Sequence, residues 1–181
     1  MSTTEQALQT FTIDPSHTGI EFTVRHMVIS KVRGRFGTFH GTVALTEGSN
    51  VPVAVDVEID AASIDTREPQ RDAHLRSADF LDAETYPTIS FKGTTFAGND
   101  AAFRIDGDLT IHGVTRSVRL DGSVEGRVTD PWGNDRIAFE AQGKINRKDF
   151  GLTWNQALET GGVLVGEEIA IALTVQAVRS K

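Results

Sequence analysis

Apolar residues in this chain recur at every second position through eight separate segments, and period 2 is the signature of strands with one buried face. Ile20, Phe22, Val24 and Val28 share parity in the first, and Phe39, Val43 and Leu45 in the second, with Gly37 and Gly41 in step. The third is the cleanest: Val51, Val53, Val55, Val57 and Ile59. Ile89 and Phe91 belong to the fourth, and Phe103, Ile105, Leu109 and Ile111 to the fifth. Val118, Leu120 and Val124 mark the sixth, Ile137, Phe139 and Ile145 the seventh, and Ile169, Ile171, Leu173 and Val175 the eighth. Phe36 falls on the opposite parity from the second segment, near the turn before it.

Turn chemistry separates these segments at Glu47-Gly48-Ser49-Asn50, Gly98-Asn99-Asp100, His112-Gly113 and Asp130-Pro131-Trp132-Gly133-Asn134. Asp106-Gly107 and Asp121-Gly122 have the composition of hairpin turns, but the apolar parity passes through both without a slip. They therefore read as strand interior, with the glycines marking bends or bulges. Eight strands joined mostly by short turns predict an all-β chain, an antiparallel up-and-down β-barrel whose closure removes exposed edges. The interior of such a barrel is either filled by side chains or holds one small ligand.

Two long connections interrupt the rhythm. The first, 27 residues from Ala61 to Pro87, exceeds the roughly 12–15 above which connections are uncommon and usually functional. Pro69 suits the first turn of a helix over about 70–78, and Ser77 suits the N-cap of a second turn. This short helical insert falls between strands three and four. Leu75, Phe80 and Leu81 are its expected inward anchors, while Arg71, Asp72, Arg76 and Asp79 face water or one another. The second connection, 146–165, holds Phe150, Leu152, Trp154, Leu158, Val163 and Leu164, enough apolar surface to cap one barrel end or line its mouth.

The 181 residues fit one domain, a barrel over 11–181 behind a flexible segment 1–10. The net charge is −7 with the basic residues scattered, which disfavours a nucleic-acid groove or an anionic membrane surface as partner. There are no cysteines, so disulfides, thiolate chemistry and Cys-based metal sites are excluded. No run approaches the roughly 18 apolar residues of a membrane-spanning helix. The opening MSTTEQALQT has neither a basic n-region nor an apolar h-region, so a cytoplasmic location is expected, or export if a natural leader precedes it. A homodimer is left open.

No catalytic constellation stands out. His17 and His26 differ by nine positions, which puts them on opposite faces of a continuous strand, and His112 lies at a turn. Asp72 and His74 are two apart and would not face each other on a helix, so no metal site and no cofactor are expected. No G-x-S-x-G elbow occurs, Ser77 near His74 is a helical coincidence, and no carboxylate pair is singled out. Of Arg25 and His26, one points to the cavity mouth and the other to solvent.

A series of short motifs nonetheless runs through the chain in a specific order. Ile13-Asp14-Pro15-Ser16-His17 leads into Phe22-Thr23-Val24-Arg25-His26, and Gly37-Thr38-Phe39-His40-Gly41 follows. Then come Ser63-Ile64-Asp65-Thr66, Arg71-Asp72, His74-Leu75-Arg76-Ser77 and Asp79-Phe80-Leu81-Asp82. Tyr86-Pro87-Thr88-Ile89-Ser90-Phe91, Gly107-Asp108-Leu109-Thr110-Ile111-His112-Gly113-Val114-Thr115, Arg147, Asp149-Phe150-Gly151 and Trp154-Asn155 complete it. In this pattern the chain resembles the YceI-like polyisoprenoid-binding proteins from about Phe11 to Val178, with Phe11 where the family often has Trp. The resemblance implies an extended, lipocalin-like antiparallel β-barrel whose interior holds a polyisoprenoid or similar long-chain amphiphilic lipid, to bind, sequester or transport it.

For such a ligand the same-parity residues Phe22, Val24, Phe39, Val43, Val55, Phe91, Phe103, Leu109, Leu120, Phe139 and Leu173 are the candidate lining, with Trp154 at one end. Each is equally well an ordinary core residue. His26, His74 and Arg76 are the candidate head-group contacts. The non-catalytic reading has two rivals: an enzyme acting on a hydrophobic small molecule in the same cavity, which requires polar residues converging inside, and a structural or interaction protein with a filled barrel.

Overall fold

The alternating segments pair with their neighbours along the chain, as short connections require. The computed structural model describes residues 5–159 and 161–181. Six strands come first: β1 (Leu8–Ile13), β2 (Gly19–His26), β3 (Ser30–Phe36), β4 (Phe39–Thr46), β5 (Pro52–Asp60) and the two-residue β6 (Ile64–Asp65). The helix α1 (Pro69–Arg76) separates them from β7 (Thr88–Gly98), β8 (Phe103–Ile111), β9 (Val114–Thr129), β10 (Asp135–Asn146) and β11 (Val165–Arg179). The ring β1-β4-β5-β7-β8-β9-β10-β11 closes where β1 pairs antiparallel with β11, Phe11 opposite Arg179. This is the expected closed eight-stranded antiparallel barrel, with one short helix between its third and fourth staves.

Three staves are broken, which accounts for the larger number of strands. β2 continues β1 past a 3-10 turn at Pro15–His17, β3 runs into β4 across Gly37 and Thr38, and β6 prolongs β5 past a 3-10 turn at Ala61–Ser63. Phe36 ends β3 beside that break. It pairs with Ile20 and faces the interior, and the two-residue break resets the parity before Phe39. β1 begins at Leu8, opposite Thr46, inside the segment expected to be flexible; residues 1–4 of that segment lie outside the described residues.

Two other sequence expectations shift. Val28 leaves the first strand and sits exposed in the β2–β3 turn. Val53 points outward because a bulge between Ala44 and Leu45 pairs Leu45 with Pro52, which takes the inward place in its stead. Gly107 and Gly122 do lie inside β8 and β9, whose mutual pairing runs through both without a shift, and Gly107 meets a bulge on its other side, where the β7–β8 register shifts between Gly93 and Thr95. They make room for aromatic rings: a Cβ on Gly107 would sit 2.5 Å from Cζ of Phe91, and one on Gly122 2.6 Å from Cζ of Phe103.

The insert is more tightly bound than a solvated helix face. Glu68 caps α1 by accepting from the Gln70 and Arg71 amides. Ser77 closes the helix, its hydroxyl donating to the His74 carbonyl at 2.6 Å, and it also opens the expected second turn, its hydroxyl accepting from the Asp79 amide at 3.3 Å and its carbonyl from the Phe80 amide at 3.0 Å. Asp72 is buried where water was expected. It accepts from the Thr66 amide at 2.8 Å and from the Thr66 hydroxyl, while Arg71 Nε donates to that same hydroxyl oxygen at 2.7 Å. These bonds tie α1 back to the end of β6, so the helix has a fixed seat on the barrel.

The barrel ends differ. Towards the termini, Phe11, Leu45, Ile137 and Ala177 are fully buried and fill the interior. Each large apolar side chain so buried contributes roughly 1.5–3 kcal/mol. Outside this plug, Arg127 pairs with Asp135 at 2.6 Å and stands over the Phe11 ring, and Arg136 bridges Asp14 and Asp130.

Candidate functional site

Above the plug the barrel is hollow. A cavity of about 240 Å³ runs between the staves, larger than the roughly 150 Å³ that suffices for a benzene-sized guest. Inward side chains of β8 are buried, whereas Ile20, Phe22 and Val24 on β2 and Ile169, Ile171 and Leu173 on β11 are only half-buried. The void therefore lies against β2 and β11.

Most of the expected lining is where parity puts it. Phe22, Val24, Val43, Val55 and Phe91 line the cavity from β2, β4, β5 and β7. Phe103, Leu109, Leu120, Phe139 and Leu173 line it from β8 through β11. Phe103 and Phe139 meet edge to face at 6.0 Å, the geometry that ring quadrupoles favour. Phe39 is buried in the core but does not reach the void. Trp154 also stays outside it: its ring packs edge-on to His74 at 4.7 Å and against Phe80 at 5.2 Å.

That aromatic cluster is the outer layer of a cap. Leu75 from α1 and Phe80 and Leu81 from the segment after it form the inner layer, in contact with the void. His74 stands between the two rings and pairs with Asp79, Nε2 to Oδ2 2.8 Å. It supports the cap and does not line the cavity, and neither do Arg76 or His26. The three expected head-group contacts are thus not brought to the void.

The polar residues that do line it are Thr18, Glu21 and Arg147. Thr18 is occupied with the backbone, its hydroxyl donating to the Gln176 carbonyl at 3.2 Å. Arg147 is 2% exposed, and its guanidinium serves backbone carbonyls: Nε donates to Gly166, Nη1 to Leu152 at 2.6 Å and Trp154 at 2.9 Å, and Nη2 to Val165 at 3.2 Å. Among the described residues no carboxylate lies within ion-pair distance of it. Burial pushes its pKa below the usual arginine value, opposed by the charge of Glu167. Periodicity gave no hint of this residue, which follows the end of β10; its only signal was its place among the ordered motifs.

Asn155 completes the second long connection. Its side-chain amide donates to the Val165 carbonyl at 2.8 Å and accepts from the Val165 amide at 3.0 Å, as a strand partner would. Among the described residues no group of three or more His, Asp or Glu side chains is arranged to hold a metal ion, and no helix is long and apolar enough to cross a membrane.

The YceI-like domain family matches residues 11–177. The YceI protein of Escherichia coli O157:H7 is 36% identical over 165 residues, 91% of this chain and 83% of that protein. Among solved structures, the YceI protein of Campylobacter jejuni is 29% identical with a TM-score of 0.76, covering 87% of this chain and 90% of that one. A polyisoprenoid-binding domain from Saccharophagus degradans shares the fold at 14% identity, with a TM-score of 0.68 over 97% of this chain and 100% of that one. A barrel with these staves, matched over nearly its whole length, belongs to the YceI-like family.

Proposed function

We propose that this protein binds a polyisoprenoid or similar long-chain amphiphilic lipid with its tail in the barrel, and sequesters or carries it without chemical change. The observation that carries this reading is the cavity of about 240 Å³ whose lining, apart from Thr18, Glu21 and Arg147, is apolar. Each methylene moved from water into such a site contributes roughly 0.8 kcal/mol, so a few isoprene units outweigh the cost of ordering the ligand without any catalytic group. The name of the Saccharophagus degradans domain points the same way.

The polar lining favours binding over catalysis. Proton transfer or nucleophilic attack needs groups converging on a reacting atom with free donors or acceptors. Here Arg147 is engaged by four carbonyls and Thr18 by the Gln176 backbone, which leaves Glu21 as a lone carboxylate with no free nucleophile or second acid–base group beside it in the lining among the described residues.

Organic extraction of the protein purified from its natural host, followed by mass spectrometry, tests the reading. A co-purifying apolar lipid is expected, and delipidated protein should take up an added polyprenyl alcohol. Finding no lipid and no uptake would sink the proposal.

A further inference from the structure

The β2–β3 hairpin carries a feature that neither folding nor the cavity requires. Its turn, Met27-Val28-Ile29, is apolar and exposed, with Ile29 88% accessible. Met27 and Val28 both have positive φ, 54° and 65°. Left-handed backbone costs an L-residue roughly 1–2 kcal/mol, and a β-branched residue there is an outlier; Asn or Gly would make the more stable turn. The side chains at this tip are unfavourable for the fold, which directs attention to what they meet outside it.

The tip does not stand alone. Its Met27 amide donates to the Leu164 carbonyl at 2.8 Å, and Val28 lies against Gly162, which brings the exposed Val163 to the same surface. Charge is arranged around this apolar patch. From Phe22 to Thr46 the chain has no Asp or Glu but carries Arg25, Lys31, Arg33 and Arg35, all exposed; Glu21, opposite Arg35 in the register, bounds the basic stretch at the end away from the tip. The register sets Arg25 opposite Lys31 and places all four on the outer face, away from Phe22 and Val24. Arg35 pairs with Asp65, but among the described residues Arg25, Lys31 and Arg33 have no carboxylate within ion-pair distance. The nearby Glu167 and Glu168 are taken by Lys148 and Lys144. The net charge of −7 hides this local basic face, which lies within residues 25–35 and which the alternation of β2 and β3 turns outward.

We infer that the β2–β3 hairpin docks the protein on an anionic lipid surface, with Met27, Val28 and Ile29 entering the interface and the three unpaired cations against the head groups. Apolar tip and basic collar are the two attractions such a surface offers at once, and neither suffices strongly alone. The exposed Trp132 at the opposite end has no such collar, since Arg127 and Arg136 there are already paired. Position gives the docking a purpose. His26 at the hairpin's base pairs with Val165, and Val24 and Val165 both line the cavity. Beyond Arg35 and Phe36, which pair with β6, the outer edge of β3 from Ser30 to Gly34 has no strand partner among the described residues. Docking would hold this side of the barrel against the membrane from which a lipid is taken or to which it is returned. That purpose rests on the lipid-binding reading; the docking itself does not.

Flotation of the full chain with phosphatidylcholine vesicles, with and without phosphatidylglycerol, tests the inference. The protein is expected to float with the anionic vesicles and to be released as ionic strength rises. Ile29→Asp should weaken partitioning by about tenfold or more, and Arg33→Glu by on the order of tenfold. Both variants should keep the wild-type melting temperature and uptake of a polyprenyl alcohol from solution, since neither residue lines the cavity. The inference is overturned if the wild type does not float with anionic vesicles, if Ile29→Asp floats equally well, or if the hairpin binds a protein partner and no vesicle. Flotation without uptake would leave docking standing and remove the cavity reading, and uptake without flotation would do the reverse.

Discussion

Arg147 illustrates how one side chain can organise a long connection. A segment without regular strand structure leaves carbonyls in need of donors, and a buried carbonyl without a partner is costly. Arginine offers five N–H groups in a rigid fork, and here the fork collects four carbonyls from both ends of the 147–166 segment. Lysine cannot reproduce that geometry with a point charge. Arg147→Ala is therefore expected to destabilise the fold by about 3 kcal/mol or more, and Arg147→Lys to recover little of it. Urea unfolding midpoints measure both; a lysine variant as stable as the wild type would show that charge alone, and not the fork, holds the segment.

At the scale of elements, the plugged end is clamped by charge. Asp14 accepts from Ser16 and His17 and meets Arg136, which also pairs with Asp130, so the 3-10 turn after β1, strand β10 and the β9–β10 turn share one network. Both carboxyls are held well below their usual value of 3.8. For Asp14 the Ser16 hydroxyl is the largest cause, and for Asp130 the Arg136 guanidinium. A carboxylate with a depressed folded-state pKa stabilises the fold above its unfolded pKa and loses that contribution as pH falls through the folded value. The melting temperature should then be level from neutral pH to about pH 5 and decline below about pH 4. Asp130→Asn should melt lower at neutral pH yet decline less steeply on acidification. An unchanged acid slope would count against Asp130 as a contributor.

For the whole molecule, the distinction that matters is between a filled and a hollow barrel. Phe139 is buried against Phe103, so Phe139→Asp puts a charge into an apolar interior at a cost of several kcal/mol and should abolish lipid uptake or folding. Leu173 separates these outcomes, because it is half-buried against the void and a larger side chain there occupies empty space. Leu173→Trp should retain the wild-type melting temperature while uptake of a polyprenyl alcohol falls by on the order of tenfold. Normal uptake in a folded Leu173→Trp protein would mean that the ligand does not use this part of the barrel.

Alternation along the amino-acid sequence already specifies the eight staves, their antiparallel order and the inward face of most of them, because side-chain period is a local property that closure merely assembles. Ten of the candidate lining residues follow from that parity, Phe22 and Leu173 among them. Its errors arise where the rhythm is broken by something local periodicity does not register. Gly34 interrupts the inward row of β3 between Val32 and Phe36, since the Phe22 ring occupies the space its side chain would take. A bulge reverses Val53, and a two-residue gap resets Phe36. It takes the closed fold to make the barrel hollow on the β2–β11 side and plugged beneath, and to bring Arg147 to the cavity while His26, His74 and Arg76 stay away from it. Empty volume and the seat of a loop depend on residues far apart in sequence, and they come into being only when the ring closes.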